Sequence, residues 1–431
     1  MIEFEGYIDL LRQMIAVPSF SREEGAACDI LESWLLSHGV DSLGEQYPLR
    51  REGNNVVLEQ KGRGDGRPVL LLNAHIDTVR PVASYTRDPF DAALEDGRLY
   101  GLGSNDDGGS LVALLSAYLQ LIVNPQPYRL IWTATAEEEV CGREGIEKIL
   151  PSLGPVVLGI IGEPTRMQMA VAERGLMVLD CTAHGKSGHA ARGEGVNAIY
   201  EALPAIEWFR TYQFPKVSPW LGPVGMNVTM INAGTQHNVV PDACSFVVDV
   251  RPNDLYTNEE LLSLIQSALP AIDIKARSTR LRSSHIATSP ADGCHSSFVS
   301  ISTRACSGRG PAEGLGRRGR EAEAGETADG GVCESQELDA TPSVCRRSKA
   351  TDGGVCESQE HPVVRRGLSL GLEAFGSPTC SNQTLCPFPT LKIGPGDSAR
   401  SHSADEFIGT DEIKRGIEVY VDLLDGLDIN P

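Results

Sequence analysis

Three stretches of this chain are apolar without alternation, and each runs into polar chemistry: VLLLNAHIDTV at 69–79, RLIWTATAEEE at 129–139 and VVLGIIGEPT at 156–165. A strand with one wet face alternates apolar and polar residues. An unbroken apolar run reads instead as a strand covered on both faces, as in a parallel sheet between helices. Ligands of such sheets bind beyond the carboxyl ends of the strands, which singles out His75, Asp77, Glu137 to Glu139 and Glu163. Helical spacing predicts the cover. One helix spans Tyr7–Val17, a second runs from a Ser21/Glu24 capping box to Gly39, and a third spans Ser110–Leu121 behind a glycine-rich loop holding Asp106 and Asp107. A further strand is expected over Asn55–Gln60.

From about Gly175 the pattern changes. Leu176–Ala183, Met226–Ile231 and Ser245–Val250 alternate, as strands of an antiparallel sheet covered on one face do, and helices over Asn197–Phe209 and Glu259–Leu269 supply that cover. Residues 174–287 are therefore read as a second, α+β domain. The segment 288–360 is poor in large apolar residues, carries five of the eleven cysteines and repeats DGGVCESQE at 329–337 and 352–360. Such a composition cannot bury enough apolar surface to offset chain entropy, so disorder is expected. Its Cys333, Cys345 and Cys356 fit no common zinc spacing, and the segment reads as a neutral insertion expanded by duplication. Ordered texture returns with a helix expected over Val363–Phe375, a loop at SPTCSNQT, a strand over Pro389–Ile393, a loop carrying Arg400 and His402, and a last helix over Thr410–Leu424. The expected fold is α/β: a mostly parallel sheet covered by helices, built from 1–173 and 361–431, with an inserted α+β domain.

Composition narrows the function. The chain has 431 residues and a formal net charge of -20, so nothing supplies the basic footprint that nucleic acid or an anionic membrane requires. No apolar run approaches the roughly 18 residues of a spanning helix. The acidic start MIEFEGYIDL lacks the basic region of a secretory signal, and a cytoplasmic location is expected. An odd number of scattered cysteines fits reduced thiols, with Cys28, Cys141, Cys181 and Cys244 as small core residues.

Histidines and carboxylates at strand ends, without thiolates, form a donor set for a borderline divalent metal used in hydrolysis, zinc first among them. The available donors are His75, Asp106, Glu139, Glu163 and His402, enough for two ions with a shared carboxylate. Glu138, beside a donor, is free to act on a proton. An Asp on the second ring nitrogen of His75 would fix its tautomer, a role open to Asp77.

HIDTV, GLGSNDDGG, TAEEE, GEPT, GKSGHAARGEGVNA, NVVPDACSFVVDVRP and GPGDSARSHSADEF occur in this order. As an ordered set they resemble the co-catalytic di-zinc amidohydrolase family of acetylornithine deacetylase, succinyl-diaminopimelate desuccinylase, aminoacylase and glutamate carboxypeptidase. SPTCSNQTLCPFPTLKIGPGDSARSHSADEF is most similar to the acetylornithine deacetylase branch. The resemblance implies two Zn2+, with Co2+ or Mn2+ as substitutes. Asp106 would bridge them, His75 and Glu163 would complete one site, and Glu139 and His402 the other. Glu138 would be the acid/base and Asp77 would orient His75. His189 resembles a histidine that crosses a dimer interface to stabilise the oxyanion in the partner's active site. Asn238 and Arg251 match positions that grip the substrate when the second domain closes as a lid. The implied protein is a homodimer that cleaves N-acetyl- or N-succinyl-L-ornithine in arginine biosynthesis. A desuccinylase, a dipeptidase or carboxypeptidase, and a non-catalytic scaffold stand as alternatives. The chain departs from many relatives in carrying Asn382 for an Asp on what reads as the substrate-side loop, and in the insertion at 288–360.

Overall fold

The computed structural model describes residues 2–45, 47–61, 66–286 and 360–429. The expectation of a disordered insertion thus falls, but for Glu360, outside the described residues.

A nine-stranded mixed sheet forms the larger part, in the order Leu49–Glu52, Asn55–Glu59, Arg129–Thr135, Val69–His75, Val156–Ile161, Thr390–Lys392, Met169–Glu173 and Ser284–His285, with Ala374–Ser377 also paired to Met169–Glu173. The four strands from Arg129–Thr135 to Thr390–Lys392 are mutually parallel. The absence of alternation in Val69–His75 has a direct cause, since every residue of the strand is buried. Leu70 and Leu72 enter a core shared with the helices Phe4–Ile15, Gly25–Ser37, Gly109–Leu121 and Thr410–Leu424. Val69 and Leu71 enter a second core with Ile146 and Ile149 on the opposite face. Gly109–Leu121 is buried nearly all round. It packs against Thr410–Leu424, which fastens the last stretch of the chain to the centre of the sheet.

The inserted part is a four-stranded antiparallel sheet in the order Gly225–Ala233, Ala243–Arg251, Met177–His184 and Ile272–Ala276. Along Met177–His184 burial alternates strictly. The inner residues Met177, Leu179, Cys181 and Ala183 meet Phe246 and Val248 and the helices Ala198–Thr211 and Asn258–Ala268. The chain leaves the large sheet through Glu173–Gly175 and returns through Leu281–Ser283. The Leu176 amide donates to the Leu281 carbonyl at 3.1 Å, so the two crossings lie side by side.

Several expectations are corrected. Ser21 and Glu24 form no capping box: the helix Gly25–Ser37 has no side-chain cap. Ser21 Oγ donates instead to Asp77 at 2.8 Å, and buried Glu24 accepts from the amides of Arg22 and Glu137 at 2.6 and 3.2 Å. The helix expected over Val363–Phe375 stops at Ser369. Gly371 turns the chain at φ 82, and Ala374–Ser377 is drawn into the sheet beside Met169–Glu173. Cys28, Cys181 and Cys244 are buried, but Cys141 is half-exposed in the turn after Glu139. Asn382 lies buried, donating to Asn73 Oδ1 and Thr135 Oγ1 at 3.1 Å each, beneath the ends of the central strands.

Candidate metal centre

His75 is the last residue of the central strand, and its ring is fully enclosed. Nδ1 meets the Asp77 carbonyl at 2.8 Å, with the Asp77 carboxylate farther off at 3.6 Å. Nε2 meets Oδ1 of Asp106 at 3.1 Å. The Asp77 carboxylate is engaged elsewhere: it accepts from the amides of Glu138 and Glu139 at 2.9 and 3.1 Å. It thereby aims the turn that follows Arg129–Thr135, placing Glu138 and Glu139 a few residues past the strand end.

Asp106 sits on the turn Ser104–Gly108, before the helix Gly109–Leu121. Buried Glu406 holds this turn by accepting from the amides of Gly103, Asn105 and Asp106 at 3.0, 2.9 and 2.9 Å. His402 lies on the same final loop in a left-handed conformation, φ 58. Arg400 secures that loop by a two-pronged pair with Glu412 at 2.7 and 2.9 Å. His402 Nε2 reaches Glu139 at 2.9 Å and Oδ2 of Asp106 at 3.8 Å. The two oxygens of Asp106 therefore face two imidazoles from opposite ends of the chain. Glu163 follows the strand Val156–Ile161. Its neighbour Gly162 donates to the Asn73 carbonyl at 2.7 Å, and a Cβ there would stand 2.7 Å from that of Ser110.

Ligand-capable atoms of His75, Asp106 and Glu139 lie within 4.8 Å of one another, as do those of His75, Glu138 and Glu163. Six of the sequence-selected residues thus meet at one place, counting His402. His189, Asn238 and Arg251 stand on the inserted domain. His189 accepts from the Ala191 amide at 3.2 Å, and the Asn238 carbonyl accepts from Ala190 at 3.1 Å, both on an exposed face. The guanidinium of Arg251 is occupied by Asp249, at 2.7 and 3.0 Å.

The electrostatics of the cluster call for positive charge. Burial, then Glu163 and Glu139, push Glu138 well above the usual carboxylate range. Burial, then Asp106, does the same to Glu163. Burial opposes the charging of His75, but hydrogen bonds to Asp106 and Asp77 outweigh it and raise its pKa. Asp107 is pushed by burial to about 7. Buried carboxylates crowded in this way are stable when protonated or when cations compensate them. Two imidazole nitrogens and several carboxylates with no thiolate suit hydrolytic divalent ions, so the residues fit a metal pair.

Sequence reasoning missed Glu406, Asp107 and the buried pair Lys392–Glu173. Glu173 is fully buried, accepts from the Ser381 amide at 2.8 Å and contacts Lys392 Nζ, which also donates to Thr379 at 3.0 Å. Nothing in the local sequence separates Glu406 from its neighbour Asp405, which binds the exposed amides of Thr86 and Arg87 at 2.9 Å.

A family model described as a peptidase dimerisation domain matches residues 171–276. The chain is 30% identical over 301 residues to acetylornithine deacetylase of Edwardsiella ictaluri, a span covering 66% of this chain and 77% of that protein. It is 28% identical over 276 residues to succinyl-diaminopimelate desuccinylase of Acidiphilium cryptum, covering 61% and 70%. Its fold is similar to that of a dinuclear metal-binding peptidase of the M20 family from Bacillus subtilis, with a TM-score of 0.60, 14% identity and coverage of 98% of this chain and 97% of that one. A strand-end histidine, clustered buried acids and these likenesses agree, and the chain belongs to the M20 family of metal-dependent amide hydrolases.

Proposed function

We propose that this protein removes the N-acyl group from a small amino acid, N-acetyl- or N-succinyl-L-ornithine first, as a cytoplasmic homodimer with two zinc ions. The observation that carries the reading is the placement of Asp106 between His75 and His402, at 3.1 and 3.8 Å. In this reading Asp106 would be shared by two ions, one of which His75 and Glu163 would also hold, the other Glu139 and His402. The bound pair supplies Lewis acidity at the amide carbonyl and lowers the pKa of the attacking water. Glu138 takes the proton from that water and delivers it to the departing amine, so that amide and water become carboxylate and amine. Asp77 keeps Glu138 and Glu139 in place through their amides and His75 through its carbonyl.

The reading gives residues 174–287 the role of lid and dimerisation element. In its support, Gly225–Ala233 is an edge strand that leaves Met230 56% and Ile231 52% exposed, and the helix packed on it leaves Tyr200 68% exposed. An apolar sheet edge of this kind is an invitation to pair with a second copy. That copy would bring the partner's His189 to the oxyanion. Asn238 would meet the substrate, and Arg251 would exchange Asp249 for the substrate carboxylate on closure.

The substrate is tested by steady-state hydrolysis of N-acetyl-L-ornithine, N-succinyl-L-ornithine and N-succinyl-L,L-diaminopimelate by the zinc-loaded full chain. Preference for an ornithine derivative is expected. The likeness to a desuccinylase favours the diaminopimelate derivative as the second reading, and turnover of that compound alone would establish it.

A further inference from the structure

The return crossing from the inserted domain carries Arg280. The residues on either side of it are fastened to that domain, because Asn258, at the start of its second helix, donates Nδ2 to the carbonyls of Thr279 and Leu281 at 3.0 and 2.9 Å. The Arg280 side chain points the other way, into the large sheet domain. One guanidinium nitrogen donates to the Cys141 carbonyl and another pairs with Glu147, in a partly buried setting. Cys141 belongs to the turn of the proposed acid/base: its amide donates to the Glu138 carbonyl at 2.8 Å, and that of Gly142 to the Glu137 carbonyl at 2.7 Å. Beyond the bonds that Glu24 makes to the Glu137 amide and Asn55 to the Ala136 amide and Glu144 carbonyl, the turn has two further anchors. Asp77 holds the Glu138 and Glu139 amides from the rigid central strand. Arg280 holds the far end of the same turn from a backbone that belongs to the inserted domain.

We propose that Arg280 is a positioning residue that couples the orientation of the inserted domain to the placement of Glu138 and Glu139. An isolated ion pair between partly exposed side chains contributes little. Arg280 differs in that its carbonyl contact lies within the turn itself, and the helices it links through Asn258 and Glu147 contribute to separate hydrophobic cores. Rotation of the inserted domain draws Asn258, Arg280 and the Cys141 carbonyl together, so the turn reaches its working position only in one arrangement of the two domains. The inference rests on the amide-hydrolase reading of Glu138.

The test compares Arg280→Ala, Arg280→Lys and Glu147→Gln in the zinc-loaded full chain. A misplacement of catalytic groups by about 1 Å costs up to roughly a hundredfold in rate. Arg280→Ala is accordingly expected to lower kcat by about ten- to a hundredfold with KM little changed. Arg280→Lys, which can still donate to a carbonyl, should recover part of the loss. Glu147→Gln keeps the carbonyl contact and should stay close to the unaltered protein. Hydrogen exchange without substrate supplies a second readout: the amides of residues 138–145 should exchange faster in Arg280→Ala but not in Glu147→Gln. Equal effects of Arg280→Ala and Glu147→Gln, or unchanged kcat and exchange in Arg280→Ala, would overturn the proposal. If the unaltered protein turns over none of the substrates, the substrate reading fails, and the exchange comparison alone decides the role of Arg280.

Discussion

The amide of Asp106 donates to Oε1 of Glu406 at 2.9 Å, across 300 residues of chain. Glu406 binds two further amides of the same turn and so holds the position of the carboxylate that faces both imidazoles. Groups that orient ligands typically change metal affinity by about 10- to 100-fold when removed. Glu406→Gln, which keeps the shape but loses one acceptor oxygen, should weaken zinc binding within that range in a competition titration with a chromophoric chelator. Unchanged affinity would mean that the turn holds itself.

The large sheet was legible because its strands are covered on both faces, and that covering leaves an unbroken apolar run in the sequence. His75, Glu138, Glu139 and Glu163 stood out because they end or follow such strands, whereas Asp106 and His402, on a turn and a loop, were singled out by the family resemblance of their segments. The groups behind them were not. Ser21 and Glu24 have the spacing of a capping box, yet their partners are Asp77 and Glu137, 56 and 113 residues away. Local pattern cannot announce a long-range acceptor. The burial of Asn382 was hidden for the same reason, since its partners Asn73 and Thr135 come from distant strands.

Asp77 holds the Glu138 and Glu139 amides, and it is itself fully buried. Asp77→Ala leaves both amides without an acceptor at roughly 1–3 kcal/mol each, and frees Ser21 Oγ as well. Urea denaturation of the zinc-loaded protein should show a loss of about 2–6 kcal/mol, with Asp77→Asn losing less because one oxygen remains. Equal stability of the alanine variant would show that water replaces the carboxylate without cost.

Lys392 and Glu173 are 3% and 0% exposed at their side chains, so each compensates the other away from water. Lys392→Met strands a buried carboxylate and should cost about 3–5 kcal/mol. Adding Glu173→Gln should restore most of that loss, because two neutral buried groups avoid the charge penalty. Denaturant titrations of both variants distinguish this from simple additivity.

The metal-free protein should lose stability as pH rises. Asp107 and Glu406, with pKa values pushed by burial to about 7 and about 8 from ordinary values of 3.8 and 4.5, hold protons more tightly folded than unfolded. Their contribution is full below the unfolded values and is lost between roughly pH 4 and 8. His75 and His402, both raised, act in the same direction above 6.5. Asp106, lowered, opposes them only near and below 3.8, and His285 and His361, lowered by burial, oppose them near 6.5 without matching the several raised groups of the cluster. Thermal melts with a chelator should therefore give a lower Tm at pH 8 than at pH 6, and saturating zinc should flatten the slope by replacing protons with cations. A metal-free Tm that climbs from pH 6 to 8 would contradict the charge balance of the cluster.

The most direct test of the account is Glu138→Gln, measured for both zinc stoichiometry and turnover of the preferred N-acyl amino acid. The account predicts two zinc ions per chain, as in the unaltered protein, and a kcat lowered by about a thousandfold or more, within reach of general acid–base effects. Retained turnover with both ions bound, or loss of zinc in the variant, would remove Glu138 from the proton-transfer role on which the account depends.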